Sequence, residues 1–96
     1  MKLLFIICEA GIDDRIMQGL STIGAPGYTR FSGAVGNGKH GVREVTPVWP
    51  GLNSLILSCM PNQMVAKAQA FIGKLNEERQ GRLVVKVFAV DAEKVA

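Results

Sequence analysis

The stretch Gly36-Asn37-Gly38-Lys39-His40-Gly41-Val42-Arg43 concentrates the residue types best suited to chemistry in this chain. Glycines at 36, 38 and 41 would let backbone N–H groups come close to a phosphate. The competing reading is a turn that merely needs positive φ. Lys39 would add positive charge to such an anion, or be a solvated loop lysine. Arg43 could grip a phosphate through two parallel hydrogen bonds or pair with an acid on a partner, or be a solvated arginine. His40 is the only histidine. As a metal ligand or pH-sensitive group it would need carboxylates or thiols at matching spacing, and none stand there, so no metal site is expected. Trp49, between Val48 and Pro50, reads as an anchor of the same segment against the sheet or another subunit, with ligand stacking as the alternative.

Catalytic arrangements are absent. No Ser/His/Asp spacing, phosphate-binding Walker loop or zinc-binding helix occurs. Asp13-Asp14 and Glu77-Glu78 are adjacent carboxylates, which diverge on a helix surface and read as dipole partners and solvated faces. The expectation is a protein that is not an enzyme. Cys8 and Cys59 lack a second cysteine or histidine at ligand spacing and read as reduced, buried thiols.

Composition narrows the class further. The 96 residues are 48% hydrophobic and 20% charged, which allows one folded domain over 1–96. The mean hydropathy of +0.21 leaves apolar surface to spare in so small a domain. The run Leu3–Cys8 is too short to cross a bilayer, and acidic residues follow it where a signal peptide would be cleaved. A cytoplasmic protein with no membrane insertion is expected. The net charge of +3 permits an anionic ligand. Scattered cations and six dispersed aromatics argue against nucleic acid.

The elements that must position these residues follow from the hydrophobic pattern. Leu3–Cys8 reads as a strand buried on both faces. Ile12, Ile16, Leu20 and Ile23 recur at helical spacing, and Gly24 suits the helix stop. A strand over 28–35, interrupted by Gly33, leads into a Gly/Pro-rich segment over 36–51, a length that is usually functional or disordered and part of which could extend a hairpin. A third strand over 52–60 would set Leu55, Leu57 and Cys59 on one face and Ile56 on the other. A helix over 61–80 would bury Val65, Ala68, Phe71 or Ile72, and Leu75, with Gly81 as its cap. A fourth strand over 83–90 closes the order βαββαβ, with a short tail or helical turn after it. That order gives an α+β, ferredoxin-like four-stranded antiparallel sheet with two helices on one face. In this arrangement the first and third strands are expected as parallel neighbours, with Cys8 and Cys59 near the same sheet end. The first strand is apolar on both faces, so the second face needs a cover, which another subunit would supply.

At this point the chain resembles the PII-like signalling superfamily, over nearly its whole length. Ile23-Gly24-Ala25-Pro26-Gly27-Tyr28-Thr29 is similar to the family's helix-to-strand connection. Gly36-Asn37-Gly38-Lys39 resembles the Gly-x-Gly-basic base of its mobile T-loop, and Val48-Trp49-Pro50-Gly51-x-Asn53 resembles a small, short-loop subgroup. The resemblance implies a homotrimer with adenine nucleotides in inter-subunit clefts and a T-loop, here 36–51, that contacts a membrane transporter or enzyme. It implies Gly36, Gly38 and Lys39 from one subunit and Arg82 from another at the phosphates, with Thr29 near the base; on pattern alone Thr29 is an ordinary strand residue and Arg82 a helix-dipole partner. His40, Arg43 and Trp49 fall on the partner-binding loop. The family's Gly-Asp-Gly-Lys core is replaced by Asn76-Glu77-Glu78-Arg79-Gln80-Gly81-Arg82, and its C-terminal arginine pair is missing. ADP or AMP is therefore expected ahead of ATP, with bicarbonate as a further candidate ligand. The alternative expectation is a CutA-like structural or metal-linked trimer without nucleotide.

Overall fold

The computed structural model describes residues 1–38, 41–43, 52–78 and 85–96. Its elements are β1 (Lys2–Glu9), α1 (Asp13–Ile23), β2 (Thr29–Ala34), β3 (Gly36–Gly38), β4 (Gly41–Arg43), β5 (Asn53–Met60), α2 (Asn62–Glu78) and β6 (Lys86–Asp91). A four-stranded sheet runs in the order β2-β5-β1-β6, and β3 and β4 form a separate two-stranded hairpin. This is the expected ferredoxin-like βαββαβ arrangement, with the hairpin inserted between its second and third main strands.

Strict alternation along β1 and β5 builds the core. Leu4, Ile6 and Cys8 on β1 and Ile56 and Met60 on β5 are buried beneath the helices. Ile12, Ile16 and Leu20 come down from the first helical segment, and Ala68, Ile72 and Leu75 from α2, all buried in one cluster. Val65, Phe71 and Ile23 pack at its margin. Each end of α1 is set locally. Gly11 turns the chain at φ 99°, and Gly24 stops the helix at φ 86°. There the Gly24 N–H donates to the Ser21 carbonyl and the Ala25 N–H to the Leu20 carbonyl, which satisfies carbonyls the helix itself leaves open.

One strand relation differs from expectation. β1 and β5 are antiparallel, pairing Leu3 with Cys59 and Cys8 with Ser54. The two cysteines therefore lie toward opposite ends of the sheet. The order βαββαβ places the third main strand between two parallel strands, so it must run against both. The second strand is also shorter than 28–35, and its ladder with β5 shifts register between Phe31 and Ala34. Gly33 sits in that irregularity at φ 74°, a conformation glycine adopts without strain.

The chain before β6 is tied to α2 by the Asn76 amide, a residue the sequence reading named only in the segment that replaces the Gly-Asp-Gly-Lys core. Asn76 Oδ1 accepts from the Val85 N–H at 2.7 Å, and its Nδ2 donates to the Val85 carbonyl at 3.1 Å. Val85 is buried, so these groups would otherwise lose water without compensation. The expected cap Gly81 and the strand start at 83–84 lie outside the described residues.

The two helices approach closely at Gly19. A Cβ there would stand 2.5 Å from the Phe71 ring. Gly19→Ala should therefore lower stability by about 1–3 kcal/mol despite alanine's better helix propensity. Adding Phe71→Leu should recover part of the loss, as read by urea denaturation of both variants.

Candidate functional site

The described helices cover one sheet face only. The other face carries Leu3, Phe5 and Ile7 on β1, Leu55, Leu57 and Cys59 on β5, Phe31 on β2, and Phe88 and Val90 on β6. Register pairs align them, with Phe5 opposite both Leu57 and Phe88 and Leu3 opposite Cys59 and Val90. Phe31 and Phe88 are 51% and 57% exposed. Large apolar side chains seldom cluster in contact with water unless another surface covers them.

A pocket of about 610 Å³ opens at one end of this face. Leu3, Leu57 and Cys59 contribute apolar lining, Gly27 and Thr29 one wall, and the tail residue Lys94 another. Such a mixture of apolar surface and a few polar groups suits a small planar ligand carrying charge. Thr29, expected near a nucleotide base, does line this pocket. Lys94 and its neighbour Glu93 were missed by sequence reading, which took the last residues as a short tail or helical turn. No strand or helix is assigned after Asp91, yet the Ala92 N–H donates to the Met1 carbonyl at 3.1 Å and ties the tail to the start of β1. The lining cation gave no signal in the sequence beyond being a lysine near the terminus.

The expected phosphate-facing glycines stand elsewhere. Gly36 pairs with Arg43, and Gly38 with Gly41, in the β3–β4 hairpin. That hairpin leaves the sheet beyond Ala34, which pairs with Asn53, at the opposite end from the pocket. Thr29 and Gly36 are separated by seven positions of mostly extended chain, roughly 20 Å at strand rise. The fold of one protomer therefore does not bring them together. Lys39, His40, Trp49 and Arg82 lie outside the described residues.

Two serines on the helix-facing side of β5 tie the flanking connections to the sheet. Ser54 Oγ donates to Asp13 Oδ2 at 2.8 Å, and Ser58 Oγ donates to the Gly27 carbonyl at 2.7 Å. Arg30 Nη1 lies 3.4 Å from the same Asp13 oxygen and 3.3 Å from Asp14 Oδ1. Asp13 is therefore a buried, bonded carboxylate rather than a solvated dipole partner as expected, because the first turn of α1 packs against β5 and Arg30. Its Oδ1 also accepts from the Asp14 N–H at 3.0 Å, serving the helix start where Ile12 offers no capping group.

Cys8 sits against this cluster. Burial pushes its thiol up to about 12, and the Asp13 and Glu9 carboxylates add to the effect. A thiol so placed stays protonated and unreactive. Among the described residues, no group of three histidine, cysteine or acidic side chains could hold a metal. No described helix is long and apolar enough to cross a membrane.

Comparison with known families decides the family. The model of the nitrogen regulatory protein P-II family matches residues 1–96. The chain belongs to the P-II family. Its members are regulatory proteins, and this chain is a PII-like protein. CPII from Thiomonas intermedia K12, a nitrogen regulatory PII-like protein bound to ADP, AMP and bicarbonate, superposes with a TM-score of 0.74 at 24% identity. That match covers 96% of this chain and 93% of CPII. The apo form of CPII gives 0.63 at 23% identity, over 96% and 92% of the two chains. A PII-like signaling protein from Thermus thermophilus gives 0.64 at 21% identity, over 93% and 83%. The search of curated proteins returns no match.

The perturbed thiol generates a pH prediction. Cys8 has a folded pKa raised above its ordinary value of 9.0. Its contribution to stability is complete below that value and is lost as pH rises from about 9 toward about 12. Wild-type protein should lose more stability over this range than Cys8→Ala, measured as the difference between their urea midpoints at each pH.

Proposed function

We propose that this PII-like protein is a homotrimeric regulator that binds ADP or AMP in clefts between its subunits. The pocket at Thr29 receives the base. Gly36, Gly38 and Lys39 of one subunit and Arg82 of another face the phosphates. Bicarbonate is a candidate second effector. Ligand occupancy orders or releases the 36–50 loop, through which His40, Arg43 and Trp49 meet a transporter or enzyme.

The observation that carries this reading is the separation of Thr29 from the hairpin glycines. A nucleoside diphosphate is shorter than the roughly 20 Å of strand between Thr29 and Gly36. One ligand can touch both sets only if the glycines come from a neighbouring copy. The uncovered apolar face supplies a reason for such a neighbour, since burying each large side chain contributes about 1.5–3 kcal/mol. The pocket opens on that same face, so the neighbour would complete its wall. The binding of ADP, AMP and bicarbonate by CPII, a protein of the same fold, agrees with this ligand class.

Calorimetric titration with ADP, AMP and ATP tests the ligand. Heat is expected with ADP and AMP and less with ATP; none of the three binding at millimolar concentration removes the nucleotide reading. Gly36→Val should weaken ADP binding at least about tenfold, equivalent to about 1.4 kcal/mol. Sedimentation tests the assembly. Wild type should run as a trimer at micromolar concentration, and Phe88→Asp should yield folded monomers that no longer bind ADP. A stable wild-type monomer would overturn the shared-cleft reading.

A further inference from the structure

Ser58 does not line the Thr29 pocket, yet it is hydrogen-bonded to Gly27 in that pocket's wall. Its neighbours on the helix-facing side of β5, Ile56 and Met60, are fully buried apolar side chains. A hydroxyl in such a layer costs free energy unless it is paired. The pairing found is the 2.7 Å bond to the Gly27 carbonyl. Gly27 lies in the short connection between the left-handed stop at Gly24 and the first paired residue of β2, Thr29.

Gly27 has room for a side chain. A Cβ built there would meet nothing within 4 Å. The connection is tied to β5 through the Gly27 carbonyl. Both Gly27 and Thr29 line the pocket; Thr29 is held by its pairing with Leu57, and the Ser58 bond holds the Gly27 carbonyl two residues before it.

We propose that Ser58 is a positioning residue for the ligand pocket, acting through the Gly27 carbonyl to set the wall formed by Gly27 and Thr29. This rests on the nucleotide reading above. Without the donor the connection can draw away from β5, and a planar ligand loses its close fit. The role needs a short hydroxyl on the core side of a strand, which explains a polar residue where the alternation calls for an apolar one.

The test compares wild type with Ser58→Ala, Ser58→Thr and a control, Ile72→Val, which trims the core under α2 away from the pocket. ADP affinity is read by calorimetry, and amide hydrogen exchange is read at Tyr28 and Thr29. Ser58→Ala should bind ADP about tenfold more weakly and exchange faster at both amides. Ser58→Thr, which keeps the donor, should recover most of both, and Ile72→Val should bind as wild type does. The proposal falls if Ser58→Ala binds within twofold of wild type, if Ser58→Thr binds as weakly as Ser58→Ala, or if the core control loses as much. If wild type binds no ADP, the nucleotide reading fails and this role in ligand binding fails with it. If wild type binds ADP and Ser58→Ala binds equally well, only the positioning role fails.

Discussion

A four-stranded sheet has two faces, and two helices can shield only one of them from water. That inequality governs the molecule. β1 and β5 occupy the middle of the sheet and carry bulky apolar side chains on both sides. Their helix-facing residues make the core. Their other residues, with Phe31 and Phe88 from the outer strands, make a second apolar layer with no cover among the described residues of the protomer. Burial of that layer is worth more than any surface ion pair described in the fold, including Lys2–Asp91 and Arg15–Glu78, whose charges stay accessible to water. The pocket at Thr29 inherits the same condition, because part of its lining belongs to the uncovered side.

β5 also organises the connections. Its helix-facing positions alternate polar and apolar, with Ser54 and Ser58 between and beside Ile56 and Met60. Each serine binds a different chain crossing, one at the start of α1 and one before β2. A single central strand thus holds the core, the turn that presents Asp13 to Arg30, and the wall of the pocket. The cost of placing hydroxyls in a dry layer is offset because each has a short bond to an oxygen that itself needs a donor.

Much of this was legible in the sequence. The helical spacing of Ile12, Ile16 and Leu20 gave the first helix, the double-sided apolar run gave β1, and the order of elements gave the sheet and its uncovered face. Family resemblance alone set Thr29 near a nucleotide base, since nothing in its local pattern distinguishes it. What escaped were features that depend on contacts between distant segments. Ser58 and Gly27 are 31 positions apart, and neither is unusual for its element. Asp13 looked solvated because its periodicity marks a helix start, while its burial comes from β5 and Arg30. The tail at Lys94 has no periodicity to read. The parallel pairing expected of β1 and β5 did not follow from the element order, which sets β5 between the parallel β1 and β2 and so against both.

Gly33 has a consequence for solubility. β2 forms one rim of the sheet, and a straight rim with free amide and carbonyl groups would template another copy in an unending stack. The register shift between Phe31 and Ala34, with Gly33 in a left-handed conformation, breaks that row of groups partway along. A closed ring of subunits can tolerate such an interrupted border, whereas a fibril, which needs an unbroken ladder, cannot propagate across it.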